Sequence, residues 1–200
     1  MKLGFFDTET GGLNYCGGIA LLSIGAVSIN TQFEGYVDPN LDKLRIEDEA
    51  AKVNGWPHAF AAYEKYTESE IIQAFLEWVK SNQITHLVAH NAPFDAGFLT
   101  AAATRSNLWT RRAIPRMLCT QSMAMYAMQL GLFHAPSQSL DAVSKALGVN
   151  IDRSKEHSAI EDAILCERVY YALCDLGKPQ QQSQQNTVRP VRLAIPRLSR

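Results

Sequence analysis

The chain has 200 residues, of which 46% are hydrophobic and 20% are charged, and this composition fits one globular domain with a full core. Asp7 and Glu9 interrupt the apolar N-terminal run that a signal peptide would need. Because no segment approaches the roughly 20 apolar residues of a membrane span, we expect a cytoplasmic protein without a membrane partner.

The charge is distributed unevenly along the chain. The formal net charge is −1, but five of the 19 basic residues and none of the 20 acidic residues follow Gly177. Residues 1–177 therefore carry 14 basic and 20 acidic residues, a net charge of −6. Such an acidic surface disfavours binding of long duplexes by phosphate neutralisation. Any contact with nucleic acid should be short, local and assisted by a metal ion.

The first predicted element is a buried strand that ends in two acids. Residues 2–13 (KLGFFDTETGGL) begin as an apolar run and finish with a glycine pair, which predicts a strand running into a turn. Side chains of a strand alternate between its faces, and one face here carries Leu3, Phe5, Asp7 and Glu9. Two like charges at a partly buried strand end repel unless a cation neutralises them. At this point, acids that face water and acids that bind a metal are equally good explanations.

The rest of the domain alternates strands and helices. Strands are predicted at 19–29 and 33–37, which with the first strand form a meander, and at 85–89 and 116–119. Helices are predicted at 46–53, at 67–80, after a cap at Asn91, at 121–130, at 139–147 and from Ser158 onward. The expected fold class is α/β, with a mixed sheet of about five strands flanked by helices.

The composition changes after Gly177. Residues 178–200 are first rich in glutamine and then contain arginine and proline. Such a segment lacks the apolar residues of a packed core. We therefore predict a globular domain at 1–177 and a tail at 178–200 that is disordered in isolation.

A further acid lies near the start of the last predicted helix. Ser158 and Glu161 have the spacing of a capping box, so the helix should begin at Ser158 and leave His157 just outside it. Asp162 then lies on the apolar side of that helix, where it either satisfies buried backbone donors or binds a metal. Asp95, at the start of the helix after the fourth strand, is a similar case.

Strand ends and helix starts meet at one edge of such a sheet, so the four acids are expected to converge there and to need cations. Oxygen ligands select Mg²⁺ or Mn²⁺, and two such ions balance four carboxylates. Paired ions of this kind serve phosphoryl chemistry. His157, beside the helix that carries Asp162, is placed to take a proton from water. Hydrolysis of a phosphodiester is the expected reaction.

Three segments resemble the three motifs of the DEDDh 3′-to-5′ exonuclease family, in order along the chain: FDTET at 6–10, HNAPFD at 90–95 and HSAIED at 157–162. The resemblance covers residues 1 to about 175. It implies a ribonuclease-H-like sheet and the removal of nucleoside 5′-monophosphates from a 3′ end. It also implies that His157 is the general base and that the metal ligands are Asp7, Glu9, Asp95 and Asp162.

The same resemblance implies a pocket for the terminal nucleotide, lined by Thr10, Leu13, His90, Asn91 and Phe94. The family often has threonine where this chain has Gly11, and a glycine there lets the backbone approach the substrate closely. Leu13 and Phe94 are also typical of ordinary packing residues.

Several alternatives remain open at the level of the sequence. The substrate is expected to be the 3′ end of DNA, single-stranded or frayed, as in proofreading or repair, while trimming of RNA ends is the alternative. A catalytically silent nucleic-acid-binding fold is a second alternative. Residues 129–133 (QLGLF) resemble the peptide by which bacterial replication proteins bind the sliding clamp, although a helix ending in a buried Leu-Phe pair produces the same pattern. The tail could instead contact nucleic acid or a polymerase.

Overall fold

The protein folds around a mixed five-stranded sheet, which confirms the predicted fold class. The structure is a computed structural model that describes residues 1–108, 114–149, 151 and 158–178. The strands are β1 (Leu3–Thr10), β2 (Leu21–Ser28), β3 (Thr31–Tyr36), β4 (His86–Ala89) and β5 (Arg116–Cys119). Their order across the sheet is β3-β2-β1-β4-β5.

The first three strands form the predicted antiparallel meander, and β4 and β5 are parallel to β1. The helices within the described residues are α1 (Asp48–Asn54), α2 (Glu68–Ser81), α3 (Ala92–Arg105), α4 (Thr120–Gln129), α5 (Leu140–Ala146) and α6 (Ala159–Leu176). A short 3₁₀ turn, His58–Phe60, follows α1. Over the residues that are described, no helix is both long and apolar enough to cross a membrane.

The two faces of β1 contact different helices, as the alternation of its side chains predicts. Phe6 packs with Phe75 of α2 and Phe98 of α3 in the larger core cluster. Phe5 packs on the opposite face with Ala163 and Cys166 of α6. The acids of β1 therefore project from the face that α6 covers.

A glycine in β2 allows α6 to begin directly on the sheet. Gly25 pairs with Asp7 of β1, and a Cβ atom on Gly25 would lie 2.1 Å from the backbone nitrogen of Ile160. No side chain fits at that distance, so only glycine permits this contact. Ser158 caps the helix as predicted, because its hydroxyl accepts a hydrogen bond from the Glu161 backbone N–H at 3.4 Å.

The predicted cap at Asn91 is wrong in its chemistry, although α3 begins where it was expected. Asn91 occupies the N-cap position in the left-handed conformation, with φ of 68°, and its side chain makes no capping hydrogen bond. This backbone conformation turns the side chain away from the N–H groups of the first turn. Asparagine is one of the few residues that tolerate it.

The contact at Gly25 can be tested with Gly25→Ala. The added methyl group must push backbone of α6 away from β2, so we expect a loss of about 1–3 kcal/mol in the free energy of unfolding, measured by urea denaturation. Gly177→Ala is the matched control, because Gly177 has a negative φ and its Cβ would lie 3.7 Å from the nearest heavy atom. Equal stability of the two variants would contradict the proposed packing.

Candidate active site

Three of the predicted metal ligands come together at the edge of the sheet. One carboxylate oxygen from each of Asp7, Glu9 and Asp162 lies within 4.8 Å of the others. Asp7 and Glu9 alternate with Thr8 near the end of β1, and Asp162 stands in the first turn of α6, where its backbone N–H donates to Ser158 O at 3.0 Å. The Oδ1 atom of Asp162 is completely buried. Strand alternation and the position of α6 over Gly25 together produce this cluster.

The chemistry of the three donors fits a divalent cation. Three carboxylates this close repel one another and lose hydration, and a bound cation relieves both costs. Carboxylate oxygens without nitrogen or sulfur ligands are typical of Mg²⁺ or Mn²⁺ sites. The positive end of α6 also favours negative charge at this place.

Asp95, in the first turn of α3, is held by hydrogen bonds from β1. Its Oδ1 accepts hydrogen bonds from the backbone N–H and the hydroxyl of Thr8, at 3.1 and 2.8 Å. Asp95 is only 2% exposed, and burial raises its pKa to about 7, although the hydrogen bonds from Thr8 oppose the rise. The structure thus holds Asp95 against Thr8, the residue between Asp7 and Glu9 in β1, and outside the group of three acids that lie within 4.8 Å.

Cys166 of α6 lies near the acids, and the sequence pattern did not identify it as a neighbour of the site. Its thiol is buried and lies 3.6 Å from the hydroxyl of Thr120. Burial raises the pKa of this thiol, and the negative charges of Asp7 and Asp95 raise it further. The thiol therefore stays protonated and adds no negative charge beneath the carboxylates.

His90 is an internal bridge. Its Nδ1 lies 2.9 Å from the Thr120 hydroxyl and its Nε2 lies 2.8 Å from the carbonyl oxygen of Gln138. Because a carbonyl only accepts, Nε2 carries the hydrogen. Burial lowers the pKa of His90 and so favours the neutral ring, while the hydrogen bond to the Gln138 carbonyl partly offsets this shift. The histidine ties the end of β4 to α4 and to the segment before α5, so its predicted contact with a nucleotide would compete with these hydrogen bonds.

The turn after β1 is fixed by contacts within the chain. The hydroxyl of Thr10 donates to Gly12 O at 2.8 Å, and the carbonyl of Thr10 accepts from the Asn54 side chain at 2.7 Å. Gly11 is buried, and a Cβ there would lie 2.9 Å from Arg45 O. Close packing against the backbone at Arg45 therefore explains why position 11 has no side chain. Contact of Gly11 with substrate stays a prediction.

The remaining predicted substrate residues lie around an open groove and at the start of α3. Leu13 is 83% exposed and lines a groove of about 390 Å³ together with Thr10, Val53 and Asn54. Phe94 is half-buried, and its ring centroid lies 5.2 Å from that of Phe98. Asn91 is exposed. His157, the predicted base, lies outside the described residues.

Comparison with known proteins gives a consistent family. The sequence model of the RNase T exonuclease family matches residues 5–170. The chain belongs to the DEDDh family of 3′-to-5′ exonucleases. This confirms the family that the three motifs indicate.

Curated relatives include bacterial DNA polymerase III epsilon subunits. That of Rickettsia typhi is 31% identical over 173 residues, covering 84% of this chain and 71% of the relative. That of Pasteurella multocida is 31% identical over 178 residues, covering 84% and 66%. The Escherichia coli subunit is 28% identical over 206 residues, covering 92% and 80%. The chain thus spans about two thirds of the first two relatives.

The exonuclease fold is also found in solved structures. Exonuclease I from Methylocaldum szegediense superposes with a TM-score of 0.69 at 18% identity, covering 90% of this chain and 41% of that protein. E. coli exonuclease I in complex with a dA16 oligonucleotide gives 0.64 at 17% identity, covering 87% and 41%. At this identity the likeness concerns the fold, and it confirms the predicted ribonuclease-H-like sheet.

DEDDh exonucleases use divalent metal ions, and the acid cluster of this chain has the donor set for them. In this member of the family, the order of the motifs places the acids on three elements, β1, α3 and α6. Sequence reasoning identified these acids but not the residues that support them. Thr8, Gly25 and Cys166 showed no local signal, because their roles arise from contacts between distant parts of the chain.

The raised pKa of Asp95 predicts how Asp95→Asn changes stability without metal. The pKa of this carboxyl is near 4 in the unfolded chain and about 7 in the folded protein. The free energy of unfolding therefore falls as the pH increases from about 4 to 7, and the full loss persists above pH 7. Asparagine can accept the same hydrogen bonds without a charge. In EDTA at pH 8, Asp95→Asn should therefore be more stable than the wild type, by on the order of 2–4 kcal/mol.

The measurement is urea denaturation at pH 5 and pH 8. Asp48→Asn is the matched control, because Asp48 also lies in the first turn of a helix but is exposed. A stability difference between Asp95→Asn and wild type that does not grow with pH would contradict the account of Asp95.

Proposed function

We propose that the chain is a metal-dependent 3′-to-5′ exonuclease that hydrolyses phosphodiesters at the 3′ end of DNA and releases nucleoside 5′-monophosphates. The observation that carries the proposal is the cluster formed by Asp7, Glu9 and Asp162 in a chain of the DEDDh family. DNA is favoured over RNA because the curated relatives are DNA polymerase III subunits.

The proposed cofactor is a pair of Mg²⁺ or Mn²⁺ ions. Asp7, Glu9 and Asp162 would hold them, with Asp95 as the fourth carboxylate. When bound, such ions activate the attacking water and stabilise the leaving oxygen. Thr8 orients Asp95 through two hydrogen bonds. His157, just before α6, takes the proton of the attacking water as general base.

We further propose that residues 1–177 form the exonuclease domain and that residues 178–200 are a separate tail. This division is supported by the end of α6 at Leu176 and by the change in composition after Gly177. The family match to residues 5–170 lies within the proposed domain.

The proposed partners are a single-stranded or frayed 3′ end and a DNA polymerase in the cytoplasm. The names of the polymerase III relatives support the polymerase. The QLGLF segment offers less support for a sliding clamp. Leu130 and Leu132 are 55% and 46% exposed, but Phe133 packs against the cluster formed by α4, α5 and α6. Binding through Phe133 would require this packing to open.

The proposed activity is tested with one oligonucleotide labelled at its 3′ end and the same sequence labelled at its 5′ end. With Mg²⁺, the 3′ label should leave as a mononucleotide in the first step, while the 5′ label should pass through products shortened by one nucleotide. DNA should be degraded faster than RNA of the same sequence. The absence of metal-dependent release from the 3′ end of both polymers would contradict the enzyme, and faster release from RNA would favour the trimming alternative.

Two variants separate the roles of the site residues in the same assay. Asp162→Asn should abolish turnover while keeping a cooperative thermal transition, because one carboxylate of the cluster loses its charge. Asp175→Asn is the matched control, since Asp175 is an exposed acid of the same helix. His157→Ala should lower the rate far more than the affinity, and an unchanged rate would remove His157 as the base.

A further inference from the structure

A row of polar side chains leads from the acid cluster across the sheet. Glu9 of β1 pairs with Ser23 of β2, and Ser23 pairs with Tyr36 of β3. Residues opposite each other on neighbouring strands project from the same face. The three side chains line one pocket of about 400 Å³, which is closed on the other side by the start of α6. Glu9 therefore belongs both to the candidate metal site and to this pocket.

Ser23 offers a hydrogen-bonding group to the pocket. It is 2% exposed, and its hydroxyl makes no hydrogen bond with any part of the chain that the structure describes. The hydroxyl faces the open space of the pocket, where a bound polar group can exchange a hydrogen bond with it in place of water. The other buried hydroxyls near the site, those of Thr8, Thr10 and Thr120, all have partners.

The walls of the pocket define the chemistry of the occupant. Tyr63 stacks on Tyr36 with ring centroids 3.9 Å apart and remains 43% exposed, so its ring offers a flat surface. Glu34 accepts a hydrogen bond from the Tyr36 hydroxyl, and Glu161 of α6 is a second carboxylate in the wall. Glu34 and Glu161 repel phosphate and attract hydrogen-bond donors. A flat, uncharged group with N–H donors fits these walls, and a nucleobase is such a group.

The position of the pocket indicates which base it would take. Glu9 and Thr10 are consecutive in β1 and project to opposite faces. Thr10 lines the groove of Leu13, where the family resemblance places the terminal nucleotide, whereas Glu9 lines the pocket of Ser23 and Tyr63. The nucleotides on the two sides of the scissile phosphate would therefore lie on the two sides of Glu9.

We propose that the pocket of Ser23, Glu34 and Tyr63 binds the base of the penultimate nucleotide and prefers adenine, cytosine and guanine over thymine. This inference rests on the proposed exonuclease function. The three preferred bases carry an exocyclic amino group that donates to a carboxylate, whereas the N3–H of thymine lies between two carbonyl oxygens that a carboxylate repels. The pocket reads the edge used in base pairing, so the end of the substrate must be unpaired over two nucleotides.

The test uses four single-stranded DNA oligonucleotides that differ only in the penultimate base at the 3′ end. The first cleavage is measured under single-turnover conditions with Mg²⁺, and binding is measured by fluorescence anisotropy in EDTA. Wild-type protein should cleave the thymine substrate about fivefold or more slowly than the other three, and it should bind that substrate about fivefold or more weakly. Glu34→Gln should reduce this difference, because a glutamine amide offers thymine both a donor and an acceptor. Glu77→Gln is the control, since Glu77 is an exposed acid of α2 away from the pocket.

Tyr63→Ala provides a second, independent measure of the pocket. Loss of the stacking surface should weaken binding of all four oligonucleotides by about fivefold or more. Equal binding and cleavage of the four substrates by wild-type protein, or the same base ranking in Glu34→Gln and Glu77→Gln, would overturn the proposal. If no substrate is cleaved, the exonuclease function fails, and the binding measurement still decides whether the pocket distinguishes bases.

Discussion

The site depends on the contact between the first turn of α6 and the backbone of Gly25. This contact brings a helix acid to a strand that already presents two acids, and it does so directly opposite Asp7. A larger residue at position 25 would lift α6 and carry Asp162 away from Asp7 and Glu9. The fold thus uses a missing side chain to bring three carboxylates within 4.8 Å of one another.

The electrostatic cost of this arrangement is distributed over several elements. The start of α6 favours the acids through its positive end, Thr8 donates two hydrogen bonds to Asp95, and the Cys166 thiol remains neutral. These contacts do not remove the cost of burying a carboxylate, since burial still raises the pKa of Asp95 to about 7. A bound cation would neutralise the clustered carboxylates and so offset the remaining cost.

Local patterns were sufficient to predict the elements, and three of the four acids that they predict as ligands lie together in the structure. Alternation in β1, the spacing of Ser158 and Glu161, and the apolar periodicity of α2 gave the sheet and helices in their correct order. The supporting contacts could not be predicted, because Gly25, Thr8 and His90 act on residues far away in the sequence. Asn91 shows the same limit, since its cap was expected from residue type whereas its backbone adopts the left-handed conformation. The pocket beside Ser23 also depends on the register of three strands.

The central claim is that β1 and α6 together create a site for divalent cations, and titration calorimetry with MnCl₂ tests it most directly. The wild-type protein and Asp175→Asn should bind Mn²⁺ with the same affinity, while Asp162→Asn should bind about tenfold or more weakly, since even the partners of metal ligands commonly contribute that much. Equal Mn²⁺ affinity of Asp162→Asn and the wild type would contradict the claim.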